Sequence, residues 1–263
     1  MNIYLDHNII ISIHNDTALE LRSKMEELKA NGHVFPHSPA HCEEIAHSVV
    51  VLNKRKNLKQ IKTLNYVSNK IAILPYQRGD AELINCNGAY FVAEDASKCY
   101  WRVAESYHRN KTAERISSIQ IRDAAENPTR KAPIQANNMS PNQLLPAKRL
   151  EELLSSTLAH LKIDANQILS TGIIFDRIKH NFSVLEEFLE RIHLEIESRG
   201  FHPEPPENYR SRLHDITHSI YACYCDIFVS NDARLRRRAQ AAFVAIGSSC
   251  KVINDAKFIA LPF

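Results

Sequence analysis

The chain has 263 residues and a formal net charge of +3. Hydrophobic residues make up 44% and charged residues 24%, a balance that excludes wholesale disorder. Only 6 glycines occur, about a third of the usual share, which excludes a turn-rich all-β sandwich or barrel. So small a net charge neither demands nor excludes a nucleic-acid partner, and the local distribution has to decide. No stretch approaches the ~18–20 apolar residues that cross a bilayer. The start, MNIYLDHNIIISIHND, lacks the basic region and small-residue cleavage site of a signal peptide. The 6 cysteines are scattered without a CxxC pair, so buried thiols in a reducing cytoplasm are expected.

In chain order, Asn2–Leu5 (NIYL) reads as a strand ending near Asp6, and Ile9–Ile13 follows as a β-rich apolar stretch broken by polar residues. Asp16–Ala30 has Leu19, Leu21, Met25 and Leu28 at roughly helical spacing, with Asn31-Gly32 as the stop. His33–Phe35 is a short second strand. Ser38 then suits an N-cap and Pro39 the first position of a helix running to about Asn53. A basic stretch, Lys54–Lys62, leads to a possible strand at Lys70–Leu74. From about Pro75 to Gly200 the spacing is mostly helical, as in Ala89–Tyr107 and on the apolar face Ile174, Ile178, Leu185, Phe188, Leu189, Ile192 and Ile196. The proline-bearing Glu126–Pro146 reads as a loop. After the connector HPEPPEN (His202–Asn208), a helix is expected over Tyr209–Tyr224, a strand over Asp226–Ser230, a helix over Ala233–Ala245 and a strand over Lys251–Ile253.

Strand–helix alternation at both ends predicts an α/β fold with a Rossmann-like central parallel sheet flanked by helices. Residues 1–75 and 205–263 would form one split α/β domain, with 76–204 as a long helical insertion. In open parallel sheets the ligand crevice lies outside the carboxyl ends of the strands. Asp6 falls at one such end, and Asp232 just after another. Neighbouring strands lie about 4.8 Å apart, close enough for the two acids to face one another. Asp215 lies early in the helix before DIFVS, and Glu43 and Glu44 lie one turn into the helix after the second strand. Two carboxylates about 4 Å apart repel by on the order of 4 kcal/mol at an effective dielectric near 20. Such a cluster recruits a counter-ion, and all-oxygen ligands suit Mg²⁺ or Mn²⁺, which activate water for attack at phosphorus.

The segments NIYLDHNIIISI, SPAHCEEIAH and HDITHSIYACYCDIFVSNDARLRRRA together resemble a PIN-domain or PIN-like nuclease. The resemblance covers roughly residues 1–75 and 205–263 and implies a PIN-like sheet, a Mg²⁺ or Mn²⁺ cluster and cleavage of single-stranded RNA. Asp6, Asp215 and Asp232 match the family's acids. Glu44, followed by Ile45, fits the remaining acid better than Glu43, which stays open as the alternative. Ser230 and Asn231 would orient the cluster or a water, with His218 and Asp226 as secondary candidates. The resemblance also implies a cytoplasmic toxin or defence effector, whose partners would be RNA and a neutralising or regulatory protein, with a homo-oligomer admissible. A non-catalytic scaffold that binds RNA or protein, and a flap-type DNA nuclease, are the alternatives.

His214 and His218 at i and i+4 superficially resemble the zinc motif HExxH, but Asp215 stands where that motif has Glu. One of the two is therefore expected to contact a substrate phosphate or to pack near the acids. His7, His37, His41 and His47 cluster by sequence near the same place, where one of them could transfer protons. Two basic groups suit an RNA backbone: Lys54, Arg55, Lys56, Lys59 and Lys62, and Arg234, Arg236, Arg237 and Arg238. Tyr100, Trp101 and Tyr107 could stack on bases, although core packing is the expectation.

Overall fold

The computed structural model describes residues 1–47, 54–75, 88–109, 136–164, 168, 172–203 and 209–262, the side chains of 47, 54–56, 105–109 and 209–211 excepted. The N-terminal elements are β1 (Ile3–Leu5), α1 (His7–His14), α2 (Leu19–Ala30), α3 (Pro39–His47), α4 (Lys54–Ser68), β2 (Ile71–Pro75), β3 (Ala89–Ala93) and α5 (Ala96–Arg109). There follow α6 (Pro141–Leu144), α7 (Ala147–His160), α8 (Ile174–Ile178), α9 (Phe182–Ser198) and α10 (Tyr209–Ala222). The C-terminal elements are β4 (Ile227–Val229), α11 (Ala233–Ile246), β5 (Lys251–Ile253) and α12 (Asp255–Ile259). Among the described residues no helix is long and apolar enough to cross a membrane.

The protein is a mixed α/β molecule whose three-stranded parallel sheet, in the order β1-β4-β5, is flanked by helices. β2 and β3 pair antiparallel. The segment 34–37 joins the two sheets through parallel bridges Asn2↔Val34 and His37↔Ala72. Ile3 N donates to Val34 O at 2.8 Å, and Ile73 N donates to His37 O at 2.7 Å. The spatial order is thus β3-β2-(34–37)-β1-β4-β5.

Both faces of the central strands are covered, as parallel pairing demands. Ile3, Leu5, Ile227 and Val229 turn into a core built with α1, α2, α4, α5 and α12. Tyr4 and Phe228 turn the other way, into a core built with α7, α9, α10 and α11. Successive residues of one strand therefore serve opposite layers.

Several local expectations are corrected. Ile9–Ile13 is helix, not β-structure: Asp6 caps α1 by accepting from His7 N, and Ile9, Ile10 and Ile13 share its buried face. The second strand is reduced to the two bridges. Ala89–Tyr107 is not one helix, because Tyr90, Phe91 and Val92 extend along β2. Asp95 then starts α5 by accepting from Ser97 N at 2.9 Å. Within the expected loop, Ser140 and Gln143 close a capping box that makes Pro141 the first residue of a short helix. The remainder of that loop before residue 136, and residues 204–208 of the connector, lie outside the described residues. The 174–196 apolar face belongs to two helices, α8 and α9. Five cysteines, Cys42, Cys99, Cys223, Cys225 and Cys250, are buried free thiols, and Cys86 lies outside the described residues.

Phe228 is fully buried on the middle strand of the parallel sheet. Phe228→Ala is expected to destabilise the protein by about 3–5 kcal/mol in urea unfolding. A loss below about 1 kcal/mol would mean that the two layers do not share this strand.

Candidate metal centre at the carboxyl end of β1

Parallel register places Leu5 against Val229, so the next residues, Asp6 and Ser230, emerge side by side. Asp6 N donates to Val229 O at 2.8 Å. The Asp6 carboxylate is 2% exposed. It accepts from His7 N at 2.8 Å, from Ser230 Oγ at 2.7 Å and, more weakly, from Asn8 Nδ2 at 3.4 Å. Burial pushes its pKa up, the His218 charge opposes that and Glu44 adds to it.

Glu44 reaches the same place from the second turn of α3. His218 Nε2 lies 3.0 Å from Glu44 Oε1, and His7 Nε2 lies 3.7 Å from Oε2. Burial alone would raise Glu44, but the hydrogen bond and charge of His218, helped by His7 and His214, hold it at about 2. Burial likewise pulls His218 down, and Glu44, Asp6 and Asp215 more than offset it, so its pKa is raised. A carboxylate oxygen from each of Asp6 and Glu44 and a ring nitrogen of His218 lie within 4.8 Å of one another. This grouping can hold a metal ion.

Behind His218 runs a buried chain of polar side chains. His218 Nδ1 lies 2.8 Å from Tyr4 Oη, which lies 2.6 Å from Ser38 Oγ, itself 3.2 Å from His41 Nδ1. The direction of the protons is fixed at the far end. Ser38 N can only donate, and it points at His41 Nδ1 at 3.1 Å, so that nitrogen is bare. His41 Nε2 therefore carries the hydrogen and donates it to Leu5 O at 2.7 Å. Tyr4 Oη also lies 3.4 Å from His41 Nδ1, so the Tyr4 and Ser38 hydroxyls fill the space between the two histidines. His218 is thus held at both ring nitrogens, one by Tyr4 and one by Glu44. Burial and the His218 charge keep His41 itself neutral.

The other expected residues fall in several places. Asp215 lies mid-helix in α10, not near its start, and Arg238 Nη2 holds its carboxylate at 2.9 Å. It stands outside the Asp6–Glu44–His218 grouping and acts on it through the charge it presents to His218. Asp232 sits at the same sheet end, with its carboxylate turned to cap α11 by accepting from Arg234 N and Leu235 N. Ser230 Oγ links the two acids, accepting from Asp232 N at 3.1 Å while donating to Asp6. Asn231 pairs with Asp255 through Nδ2 at 2.8 Å. Asp226 is a correction. It precedes β4 instead of following it and accepts from Asn2 N at 2.7 Å, at the opposite end of the sheet.

Arg238 is also corrected, since it is 2% exposed and engaged by Asp215 and Glu197 instead of being open to an RNA backbone. Arg234 and Arg237 are exposed, and Arg236 Nη1 donates to Ser230 O at 2.7 Å. The side chains of Lys54, Arg55, Lys56, His47 and Tyr107 lie outside the described residues, whereas Lys59 and Lys62 are exposed on α4. Trp101 is 59% exposed and so is not core, and Tyr100 accepts from Asn57 Nδ2 at 3.0 Å. His37, next to Ser38 in the chain, turns its Nδ1 to Ser68 Oγ.

Two further acids escaped the sequence reading. Glu186 and Glu190, one turn apart on α9, are both pushed up to about 7 by burial; Glu43 and Glu187 add to Glu186, and Glu186 and Glu187 add to Glu190. Glu43 is raised to about 7 by burial, with His218 opposing and Glu44 adding. The only sequence signal was helical spacing, which aligns Glu186 and Glu190 with the buried His193 and Glu197.

No protein-family model, curated protein or solved structure matches this chain. Its function has to be read from the site itself.

The raised carboxyls set a sign for stability against pH. Folded Glu186 and Glu190 keep protons that the unfolded chain releases above about 4.5, so their contribution falls as pH rises from there to about 7. Glu186→Gln is expected to match wild type near pH 5 and to exceed it by about 1–3 kcal/mol near pH 8. A difference independent of pH in chemical unfolding would contradict the burial of this charge.

Proposed function

We propose that the protein is a metal-dependent endoribonuclease with a PIN-like fold, and that Asp6, Glu44 and Asp232 hold Mg²⁺ or Mn²⁺ with Asp215 supporting from α10. The observation that carries the reading is the convergence of Asp6, Glu44 and His218 within 4.8 Å at the carboxyl end of β1. The sheet order β3-β2-(34–37)-β1-β4-β5, with Asp232 at the neighbouring strand end, supports it. The donor set fits such an ion: the Asp6 and Glu44 carboxylates are hard oxygen ligands.

When bound, the ion supplies a water of lowered pKa and neutralises charge at the phosphodiester. The chain supplies the rest. Ser230 holds the Asp6 carboxylate in place through Oδ2. Tyr4 holds the His218 ring at Nδ1 and leaves Nε2 at the Glu44 carboxylate, where a protonated His218 would pass its hydrogen to a leaving oxygen. Arg234 and Arg237 lie exposed on the first turns of α11, and Arg236 reaches back to Ser230 O. Together they offer cations to the backbone of a single strand, and binding should weaken with salt.

One observation favours the second reading, a PIN-like scaffold that binds RNA or protein without cleaving. Each expected acid already has a partner: Asp6 has Ser230, Glu44 has His218, Asp215 has Arg238, and Asp232 has the start of α11. The purified protein is expected to cleave single-stranded RNA in Mn²⁺, in preference to branched DNA. EDTA should stop cleavage, and Asp6→Asn should slow it by at least about 100-fold. Activity that survives both treatments contradicts the nuclease assignment, and Mn²⁺ binding undetectable by calorimetry establishes the scaffold reading.

A further inference from the structure

A second grouping lies away from Asp6, where β3 and α5 meet the segment 34–37. A ring nitrogen of His37, a carboxylate oxygen of Glu94 and Cys99 Sγ all lie within 4.8 Å of one another. His37 and Cys99 are fully buried, and Glu94 is half-buried. His37 is fixed at its backbone, where its N donates to Ile71 O at 3.0 Å and its O accepts from Ile73 N. Its Nδ1 lies 3.1 Å from Ser68 Oγ. Its Nε2 has no hydrogen-bond partner among the described residues. A buried ring nitrogen left unpaired is destabilising, and nothing in the proposed nuclease chemistry uses this histidine.

We propose that His37 Nε2, Glu94 and Cys99 bind a structural Zn²⁺ ion, with the Cys42 thiol as the fourth ligand. The mixed nitrogen, sulfur and carboxylate set is that of zinc, not of Mg²⁺ or Ca²⁺. Cys42, fully buried on α3, is in direct contact with the Cys99 thiol. Drawing His37, Glu94 and Cys99 from 4.8 Å to zinc-ligand separations needs side-chain movements of about 1 Å, and Cys42, outside that grouping, would swing in beside Cys99.

Charge balance also fits. Arg102 pairs with both Glu94 oxygens, at 2.8 and 3.0 Å, and also reaches the Cys99 thiol. Two thiolates and one carboxylate would be offset by the divalent ion and the Arg102 guanidinium, leaving a neutral buried site. The ion would tie the segment 34–37, β3 and α5 to α3, the helix on which Glu44 follows Cys42 by half a turn.

Metal content and Co²⁺ spectroscopy on the full chain test this. Protein purified without chelator should carry zinc, and Co²⁺ exchanged into it should show thiolate-to-cobalt charge-transfer absorption. Cys99→Ser should abolish that absorption, and His37→Ala should weaken binding by more than about 100-fold. The Asp6–Glu44–His218 grouping contains no sulfur, so an ion held there cannot produce the band, and failure of one site is distinguishable from failure of the other. A wild-type Co²⁺ spectrum without the thiolate band overturns the proposal, whether or not either variant folds. A band unchanged in Cys99→Ser also overturns it.

Discussion

The Asp6 carboxylate is buried because its strand is hydrogen-bonded to β4 in one register, Leu5 against Val229, which carries the next residue under the loop after β4. An ionised carboxylate cannot stay in such a place without compensation. Ser230 Oγ and the start of α1 supply hydrogen bonds, and the nearest compensating charge is on His218. Bringing Glu44 into the same volume adds a repulsion on the order of 4 kcal/mol if two charges meet at about 4 Å with an effective dielectric near 20. A cation is therefore a requirement of the architecture. In this structure the nearest basic group is His218, whose pKa the surrounding carboxylates raise and whose ring is held between Tyr4 and Glu44.

The same requirement explains the layer built by α9, α10 and α11. Asp215 on α10 and Glu197 on α9 both face Arg238 of α11, and Arg212 Nη1 donates to Glu197 Oε2 at 2.7 Å. Removing one member of such a buried network would strand the others, at a cost of about 3–5 kcal/mol. The network registers three helices against one another, and α10 is the one that aims His218 at Glu44. The site is thus positioned by charge pairing as much as by apolar packing. Glu43, which feels His218 and Glu44, in turn adds to burial in raising Glu186, and Glu186 does the same for Glu190, so coupled carboxyls run from the site onto α9.

What the sequence made legible followed from chain rhythm. Asp6, Glu44 and Ser230 sit at strand and helix ends that alternating apolar segments define locally, and these residues do converge. Partners distant in the chain were not legible. Nothing in HDITHSIYA says that His218 faces a glutamate 174 positions away, or that Asp215 is claimed by an arginine 23 positions on. Asp226 misled because a strand of three residues presents an acid at each end, and only pairing tells which end opens on the site. β3 misled because Tyr90, Phe91 and Val92 join smoothly to a helix, and only the Asp95 cap marks the change. The short α6 was hidden by its prolines, one of which starts the helix.

The central claim is that the Asp6–Glu44 pocket accepts a divalent ion in place of its internal cation. Anomalous diffraction from crystals soaked in Mn²⁺ addresses that most directly. The account expects a peak at about 2.1–2.2 Å from oxygens of Asp6 and Glu44, with His218 turned from ion-pair partner to neighbour of the bound ion. Crystals without a peak there, with Glu44 still 3.0 Å from His218 Nε2, would contradict it.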